Sequence, residues 1–186
     1  MIKKLKSRAG LTLTELLVTV LLLTLFSSAS LIGITTALRA RQDHIKMNDA
    51  DILASLVQNI ITDELRLSEY AENYENSSAG ISGLRYKSNS SDPYEYATIY
   101  LDSDGRLYML VGNDDSKAEN KQPLLNEASY SIARSAKTLK IDALNFEIKD
   151  DGIEVSFSIM DVNNEGLELA KKEFFVNPLN EIVARP

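Results

Sequence analysis

The 186-residue sequence contains no cysteine, which excludes a disulfide framework and any metal site built on thiolates. It contains a single histidine, His44, so a multi-histidine metal site is also excluded. The sequence has no GxSxG elbow, no P-loop and no HExxH motif. No nucleophile therefore stands out for a histidine to activate. These absences predict a protein that is not an enzyme and that holds no cofactor or metal.

Positive charge is scarce outside the N-terminus. The net charge is -7, yet residues 1–10 carry four basic side chains and no acidic one, so the remaining body is more acidic still. Such a body repels phosphate backbones over most of its surface. We interpret its basic cluster at Arg134, Lys137 and Lys140 as a solvated face, which argues against nucleic acid as a partner. The four basic residues of the leader are Lys3, Lys4, Lys6 and Arg8.

Charged side chains are absent from Leu16 to Leu38, and this apolar stretch exceeds the roughly 20 residues that a helix needs to cross a bilayer. Basic residues precede it, and the next one is Arg39. Because basic flanks stay on the cytoplasmic side, the leader is predicted to lie inside and the acidic body outside. We therefore predict a single-pass protein of the cytoplasmic membrane.

Proline and glycine are absent from Ile34 to Glu75, so nothing in that stretch interrupts a helix. Apolar residues recur there at steps of three and four, which indicates an amphipathic helix with one face on a core. One helix is therefore predicted from about Thr12 to about Tyr74. The recurring apolar residues are Ile45, Ile52, Leu53, Leu56, Val57, Ile60, Ile61, Leu65 and Leu67.

After Gly83 the apolar period changes to two, which indicates antiparallel strands joined by tight turns. The fold class predicted is α+β, with a long N-terminal helix packed on an antiparallel β-sheet domain. The charged segment Asn113–Gln122 is predicted to be an exposed loop. The predicted strands are Leu84–Lys87, then Tyr94–Leu101 and Arg106–Val111 around the turn Asp102–Gly105, and then the meander Leu139–Lys149, Ile153–Val162 and Leu167–Val176.

Glu15 stands at the front of the apolar run, where an ionised carboxylate is unfavourable by a few kcal/mol unless it has a partner. The nearest cations in the chain, Lys6 and Arg8, are drawn towards cytoplasmic water and anionic lipid. Cleavage after Gly10 would expose an α-amino group on Leu11, with which Glu15 of a neighbouring copy could pair. The alternative is an interfacial acid favoured by the helix dipole.

The stretch Lys3-Lys4-Leu5-Lys6-Ser7-Arg8-Ala9-Gly10, followed by Leu11-Thr12-Leu13-Thr14-Glu15-Leu16-Leu17-Val18, resembles the class III leader and N-methylation motif of type IV pilins and pseudopilins. The resemblance implies cleavage after Gly10 by a prepilin peptidase and N-methylation of Leu11. It also implies that Glu15 acts in assembly and sets the register. The size of the region after the helix resembles a minor pilin or minor pseudopilin.

The resemblance implies a structural subunit of a type IV pilus, or of a related type II secretion or competence filament. Its partners would be other subunits, the peptidase and an inner-membrane assembly platform, and its final location a cell-surface or periplasm-spanning filament. Helix packing would use Leu13, Leu16, Leu17 and Val20. The predicted organisation is a leader at 1–10, a transmembrane and assembly helix at 11–38, an amphipathic half at 39–75 and a β-rich domain at 76–186.

Two other interpretations stay open. The chain would be an uncleaved, membrane-tethered binding or sensor domain if Gly10 is not a processing site. It would be a secreted soluble enzyme, cut near Ser30, if Ser28-Ala29-Ser30 ends a signal peptide. Two smaller features are also ambiguous. Asp102–Gly105 is interpreted as a turn rather than a calcium loop, and Tyr94, Tyr96, Tyr100 and Tyr108 as cross-strand packing or a contact surface.

Overall fold

The computed structural model describes residues 12–76, 81–88, 96–112, 120–131, 139–163 and 166–179. The described residues form one long helix followed by antiparallel strands, as the α+β prediction requires. The elements are α1 (Leu13–Arg66), β1 (Ser68–Asn76), β2 (Ile81–Ser88), β3 (Ala97–Leu101), β4 (Leu107–Val111), β5 (Lys121–Pro123), a 3-10 helix (Glu127–Tyr130), β6 (Leu139–Lys149), β7 (Gly152–Asp161) and β8 (Glu168–Val176).

The chain divides into two compact units, Met1–His44 and Ile45–Pro186, and α1 continues across the boundary. In the first unit every described residue, from 12 to 44, is exposed. In the second unit one stripe of α1 is fully buried, at steps of three and four as the sequence predicts. Three of the residues predicted for it, Ile52, Leu56 and Leu67, are instead exposed. The buried helix residues are Ala50, Leu53, Ala54, Val57, Ile61 and Leu65.

The predicted continuation of α1 to about Tyr74 is wrong, because the helix ends at Arg66 and β1 begins at Ser68. The hydroxyl of Ser68 donates to the carbonyl of Leu65 at 2.7 Å, and the amide of Leu179 donates to the carbonyl of Arg66 at 2.9 Å. These bonds satisfy carbonyls that a helix leaves unpaired at its C-terminus. The end of α1 is therefore set partly by a residue from the far end of the chain.

The described strands form two antiparallel sheets, and within each sheet the strands stand in sequence order. The order is β1-β2-β3-β4-β5 in one sheet and β6-β7-β8 in the other. The predicted hairpin, the three-stranded meander and the strand around Leu84 are confirmed. The predicted loop Asn113–Gln122 is wrong at its C-terminal end, because Lys121 and Gln122 belong to β5. Its residues 113–119 lie outside the described part of the chain.

The core of the second unit joins the buried stripe of α1 to side chains of both sheets. One polar contact lies beside it. The hydroxyl of Tyr86, on β2, donates to Oε2 of Glu64, on α1, at 2.7 Å. Burial is the larger cause, and the nearby Glu64 carboxylate the smaller one, of a pKa of Tyr86 well above its usual value. The helix is thus attached to the five-stranded sheet by apolar packing and by this hydrogen bond.

The segment Asp102–Gly105 closes the β3–β4 hairpin as a turn. Gly105 has a φ of 70°, in the left-handed region that glycine adopts without strain, and its amide donates to the carbonyl of Asp102 at 2.9 Å. The amide of Ser103 donates to the Asp102 carboxylate at 2.8 Å. The Gly105 carbonyl accepts the amide of Ile141 at 2.9 Å, which links the hairpin to β6. The interpretation of this segment as a turn is confirmed.

Candidate functional site

The N-terminus of α1 is closed by a reciprocal pair of hydrogen bonds between Thr12 and Glu15. The backbone amide of Thr12 and its hydroxyl each donate to Oε2 of Glu15 at 3.0 Å. The amide of Glu15 in turn donates to the Thr12 hydroxyl at 3.3 Å. This is the geometry of a capping box, in which a threonine before the helix and a glutamate three residues later satisfy each other's amides. Glu15 therefore has hydrogen-bond partners within its own chain.

The sequence analysis missed this role, although the Thr12-x-x-Glu15 spacing signals it. Glu15 was predicted to need a partner from another copy, namely an amine on Leu11. The capping box does not exclude that pairing, because a carboxylate has acceptor capacity beyond two hydrogen bonds. Gly10, Leu11 and the leader charges Lys3, Lys4, Lys6 and Arg8 lie outside the described residues. The register role of Glu15 stays a prediction.

The residues predicted to pack helix against helix lie on one exposed face of α1. Leu13 is 80% exposed, and Leu16, Leu17 and Val20 are 53–60% exposed. Their spacing of three, four and seven residues places them along one stripe. Large apolar side chains are exposed around the rest of this segment too, including Leu22, Phe26 and Ile32. A helix that is apolar on all sides needs an apolar cover, which lipid or other helices supply.

Six hydroxyl groups of this apolar segment donate hydrogen bonds to carbonyls of the helix backbone. Thr19 donates to the carbonyl of Glu15 at 2.6 Å, and Ser30 donates to that of Phe26 at 2.9 Å. Such bonds within the segment remove much of the cost of placing a hydroxyl in hydrocarbon. The same arrangement holds for Thr24, Ser28, Thr35 and Thr36. By length and composition, α1 can cross a membrane once. The chain is thus consistent with a membrane-anchored protein.

The predicted tyrosine packing is confirmed where the structure describes it. Tyr100 and Tyr108 pair across β3 and β4, with stacked rings whose centroids are 6.0 Å apart. Tyr96 packs edge-on against Tyr70 of β1, also with a 6.0 Å centroid separation. Tyr100 is buried and the other three are half-buried. Tyr94 lies outside the described residues. The aromatic side chains therefore serve at least as packing contacts within the five-stranded sheet.

Among the described residues, the other candidates are not brought together in one site. His44 is exposed, and among the described residues no group of three His, Asp or Glu side chains could hold a metal ion. Of the basic cluster, Arg134 and Lys137 lie outside the described residues. Lys140 instead lines a cleft of about 320 Å³ with Arg106 and Asp104. Arg106 is ion-paired with Glu127, and Asp104 adds a carboxylate to the lining of the cleft.

Comparison of the chain with models of protein families, with curated proteins and with solved structures found no match. The architecture is nevertheless pilin-like in its broad plan. One long N-terminal helix is exposed and apolar in its first part and packed on antiparallel sheet in its second part. The functional proposal therefore depends on this plan and on the N-terminal motif.

Proposed function

We propose that the protein is a structural subunit of a type IV pilin-like filament, such as a minor pilin or minor pseudopilin. The observation that carries the proposal is the division of α1. Its first part is apolar and exposed on all sides, while its second part is built into a folded domain. A subunit with this division can wait in a membrane and later exchange lipid for the helices of neighbouring subunits. The proposed machine is a surface pilus, a secretion system or a DNA-uptake system.

The proposed mechanism is physical rather than catalytic. The stripe formed by Leu13, Leu16, Leu17 and Val20 packs against equivalent helices, while Glu15 pairs with the methylated amine of Leu11 on a neighbouring subunit. A misplaced subunit would leave a charge without its partner in an apolar environment, and this cost selects one axial register. In this mechanism apolar packing supplies the affinity between subunits, and Glu15 sets the axial position of each subunit. Processing after Gly10 is required because it creates the amine.

The capping box allows the two roles of Glu15 to be separated by mutation. Glutamine also closes a capping box at this position, so Glu15→Gln keeps the cap and removes the charge. Glu15→Ala or Glu15→Val removes both. If charge pairing sets the register, all three variants insert into the membrane normally and are incorporated into filaments poorly, by about tenfold or more for a lost buried pair. Quantitative immunoblotting of sheared filaments against membrane fractions measures incorporation, and normal incorporation of Glu15→Gln would reject the pairing.

The processing step is tested by mass spectrometry of the N-terminal peptide after expression with a prepilin peptidase. The proposal expects a peptide that begins at N-methylated Leu11. Gly10→Val is the matched control, since it should leave the leader attached without changing the charge of residues 1–10. An intact leader on the unsubstituted chain, under conditions in which a known prepilin is cleaved, would contradict the proposal.

A second candidate function is a membrane-tethered extracytoplasmic binding domain that keeps its leader. The observation that favours it is the Thr12–Glu15 capping box, which satisfies the carboxylate without a second chain. For such a protein, Glu15 serves only to begin the helix. Glu15→Gln would then behave like the unsubstituted protein in every assay, and the N-terminal peptide would begin at Met1. The same two experiments therefore separate the two functions.

A further inference from the structure

A partly buried ion pair joins α1 to the end of β7. Nζ of Lys46 lies 2.8 Å from Oδ2 of Asp161, a contact between residues 115 positions apart in the sequence. The side chain of Asp161 is fully buried, and that of Lys46 is 35% exposed. Both residues belong to the second unit, and Lys46 is only its second residue. The pair therefore lies where the packed part of the helix begins.

Asp161 also organises the turn between β7 and β8. Its Oδ1 accepts the amide of Asn163 at 2.9 Å, and its own amide donates to the carbonyl of Leu167 at 3.2 Å. One carboxylate thus serves the turn with one oxygen and the helix with the other. Buried carboxylates are retained when both charge and hydrogen bonds compensate them, as they are here. Moving Lys46 away would leave the carboxylate buried without this cation.

Apolar packing of the first turn of this unit rests on Ile45, which is half-buried against the core. Ile45 and Asp49 are half-buried, and Met47 and Asn48 are exposed. The first fully buried residue of α1 is Ala50, which has little side chain to pack. At its other end the packed helix is fixed by the connection to β1 and by the Leu179 hydrogen bond to Arg66. The turn at residues 45–49 is therefore held in part by the Lys46 contact.

We propose that the Lys46–Asp161 ion pair is a latch that decides where the packed part of α1 begins. With the latch closed, α1 is part of the folded domain from Ile45. With it open, packing begins at Ala50, and about 7 Å more of the helix is free of the domain, at 1.5 Å per residue. The latch thus sets how many residues separate the apolar segment from the folded domain. This role does not depend on the proposed filament function.

The latch is tested by distance measurements between paired spin labels on the full chain in detergent micelles. Because the sequence has no cysteine, introduced cysteines are labelled uniquely. One pair, Met47→Cys with Lys171→Cys, reports the first turn against β8. The second pair, Asn59→Cys with Lys171→Cys, reports the firmly packed part of α1. All three positions are exposed, so the labels fit without disturbing the core.

The variant Lys46→Met with Asp161→Asn opens the latch without leaving a lone buried charge, and the oxygen of the introduced amide can still accept the backbone amide of Asn163. We expect the distance distribution of the Met47 pair to become about twofold broader, as for a turn that opens locally. The Asn59 pair should stay unchanged. An unchanged Met47 pair would overturn the proposal, and so would equal broadening of both pairs, which indicates general loosening.

Two further variants complete the test. If the double variant does not fold, Asp161→Asn alone weakens the ion pair while keeping the side-chain shape and the acceptor for the Asn163 amide, and the same two outcomes apply to it. Lys149→Met is the matched control, because Lys149 pairs with Glu154 across β6 and β7 but is 42% exposed. Exposed ion pairs contribute little, so this control should broaden neither distribution.

Discussion

The two parts of α1 are similar in apolar content and opposite in environment. Up to His44 the described helix is exposed on every side, whereas from Ala50 onward one stripe is fully buried against the sheets. The difference follows from charge. The first part has no charged residue from Leu16 to Leu38, so it has no face suited to water. The second part has charged residues on one face and apolar residues on the other. Helical periodicity alone does not show whether a helix packs against protein or lipid, whereas the distribution of charged residues around it does.

The comparison is tested most strongly by the same substitution in each part. Leu53 is fully buried and Leu17 is 60% exposed. Leu53→Ala should lower the free energy of unfolding of the domain by about 3 kcal/mol, because it removes buried methyl groups and leaves a cavity. Leu17→Ala should change it by less than about 0.5 kcal/mol, as for exposed positions. Denaturant titrations in detergent, followed by near-ultraviolet circular dichroism of the tyrosines, measure both.

Equal effects of the two leucine variants would mean that the first part of α1 also contributes to the stability of the domain. A large effect of Leu17→Ala on filament incorporation, with none on unfolding, would instead sharpen the comparison. It would show that Leu17 packs only after assembly.

A pair of glycines gives the next largest expected difference. A Cβ added at Gly83, on β2, would lie 2.1 Å from the carbonyl oxygen of Ile99, whereas one added at Gly33 would meet nothing within 4 Å. Gly83→Ala should therefore cost about 2 kcal/mol of domain stability, since backbone atoms must shift. Gly33→Ala should leave the domain unchanged, and it adds up to about 1 kcal/mol of helix propensity locally. Thermal unfolding of the two variants checks this.

The glycine comparison fails if Gly83→Ala unfolds at the same temperature as the parent chain. If the Gly33→Ala domain is stable yet the variant is not incorporated into filaments, then another helix packs against the chain at Gly33 in the filament.

The smallest predicted effect concerns Tyr86→Phe, which removes the hydrogen bond to Glu64 but keeps the ring. At neutral pH it should cost about 1 kcal/mol. Because the pKa of Tyr86 is raised in the folded protein, the contribution of its neutral hydroxyl is complete below the unfolded pKa of about 10 and is lost as the pH rises beyond it. Unfolding of Tyr86→Phe should therefore depend less steeply on pH above about 10.

The control for this measurement is Tyr96→Phe, because Tyr96 is half-buried immediately before β3. An alkaline slope that is reduced equally in both variants would contradict the special contribution of Tyr86. Retention of the full slope in Tyr86→Phe would do the same.

The sequence predicted the elements whose signals are local. The β3–β4 hairpin and the β6-β7-β8 meander were found because alternating residues flank turns that contain glycine, such as Gly105 and Gly152. β1 was missed because no glycine or proline separates it from α1. The long side chains at alternate positions, Tyr70, Glu72 and Tyr74, were not enough to mark a strand. Three-residue β5 is too short to show a period. The division of the strands into two sheets left no local signal.

The features of the candidate site and of the ion pair also divide into those with a local sequence signal and those without one. The apolar stripe and the motif around Gly10 are readable as sequence, and so in hindsight is the Thr12–Glu15 cap. The Lys46–Asp161 contact is not, because neither residue differs locally from other lysines and aspartates of this acidic chain. Only the closure of the domain brings the two side chains together, and burial then makes the contact important.

The bond between the Leu179 amide and the Arg66 carbonyl has a consequence for the order of folding. Within each sheet the described strands stand in sequence order, so each hairpin can form as soon as its own residues have left the ribosome. The end of α1 has to wait for a residue more than a hundred positions downstream. Until Leu179 has been synthesised, the carbonyl of Arg66 lacks this partner, and before β6 to β8 have formed the stripe that ends at Leu65 lacks part of its core contacts. The slow step of folding should therefore be the closure of the helix onto finished hairpins, and a chain truncated before Leu179 should contain formed hairpins beside a poorly fixed helix end.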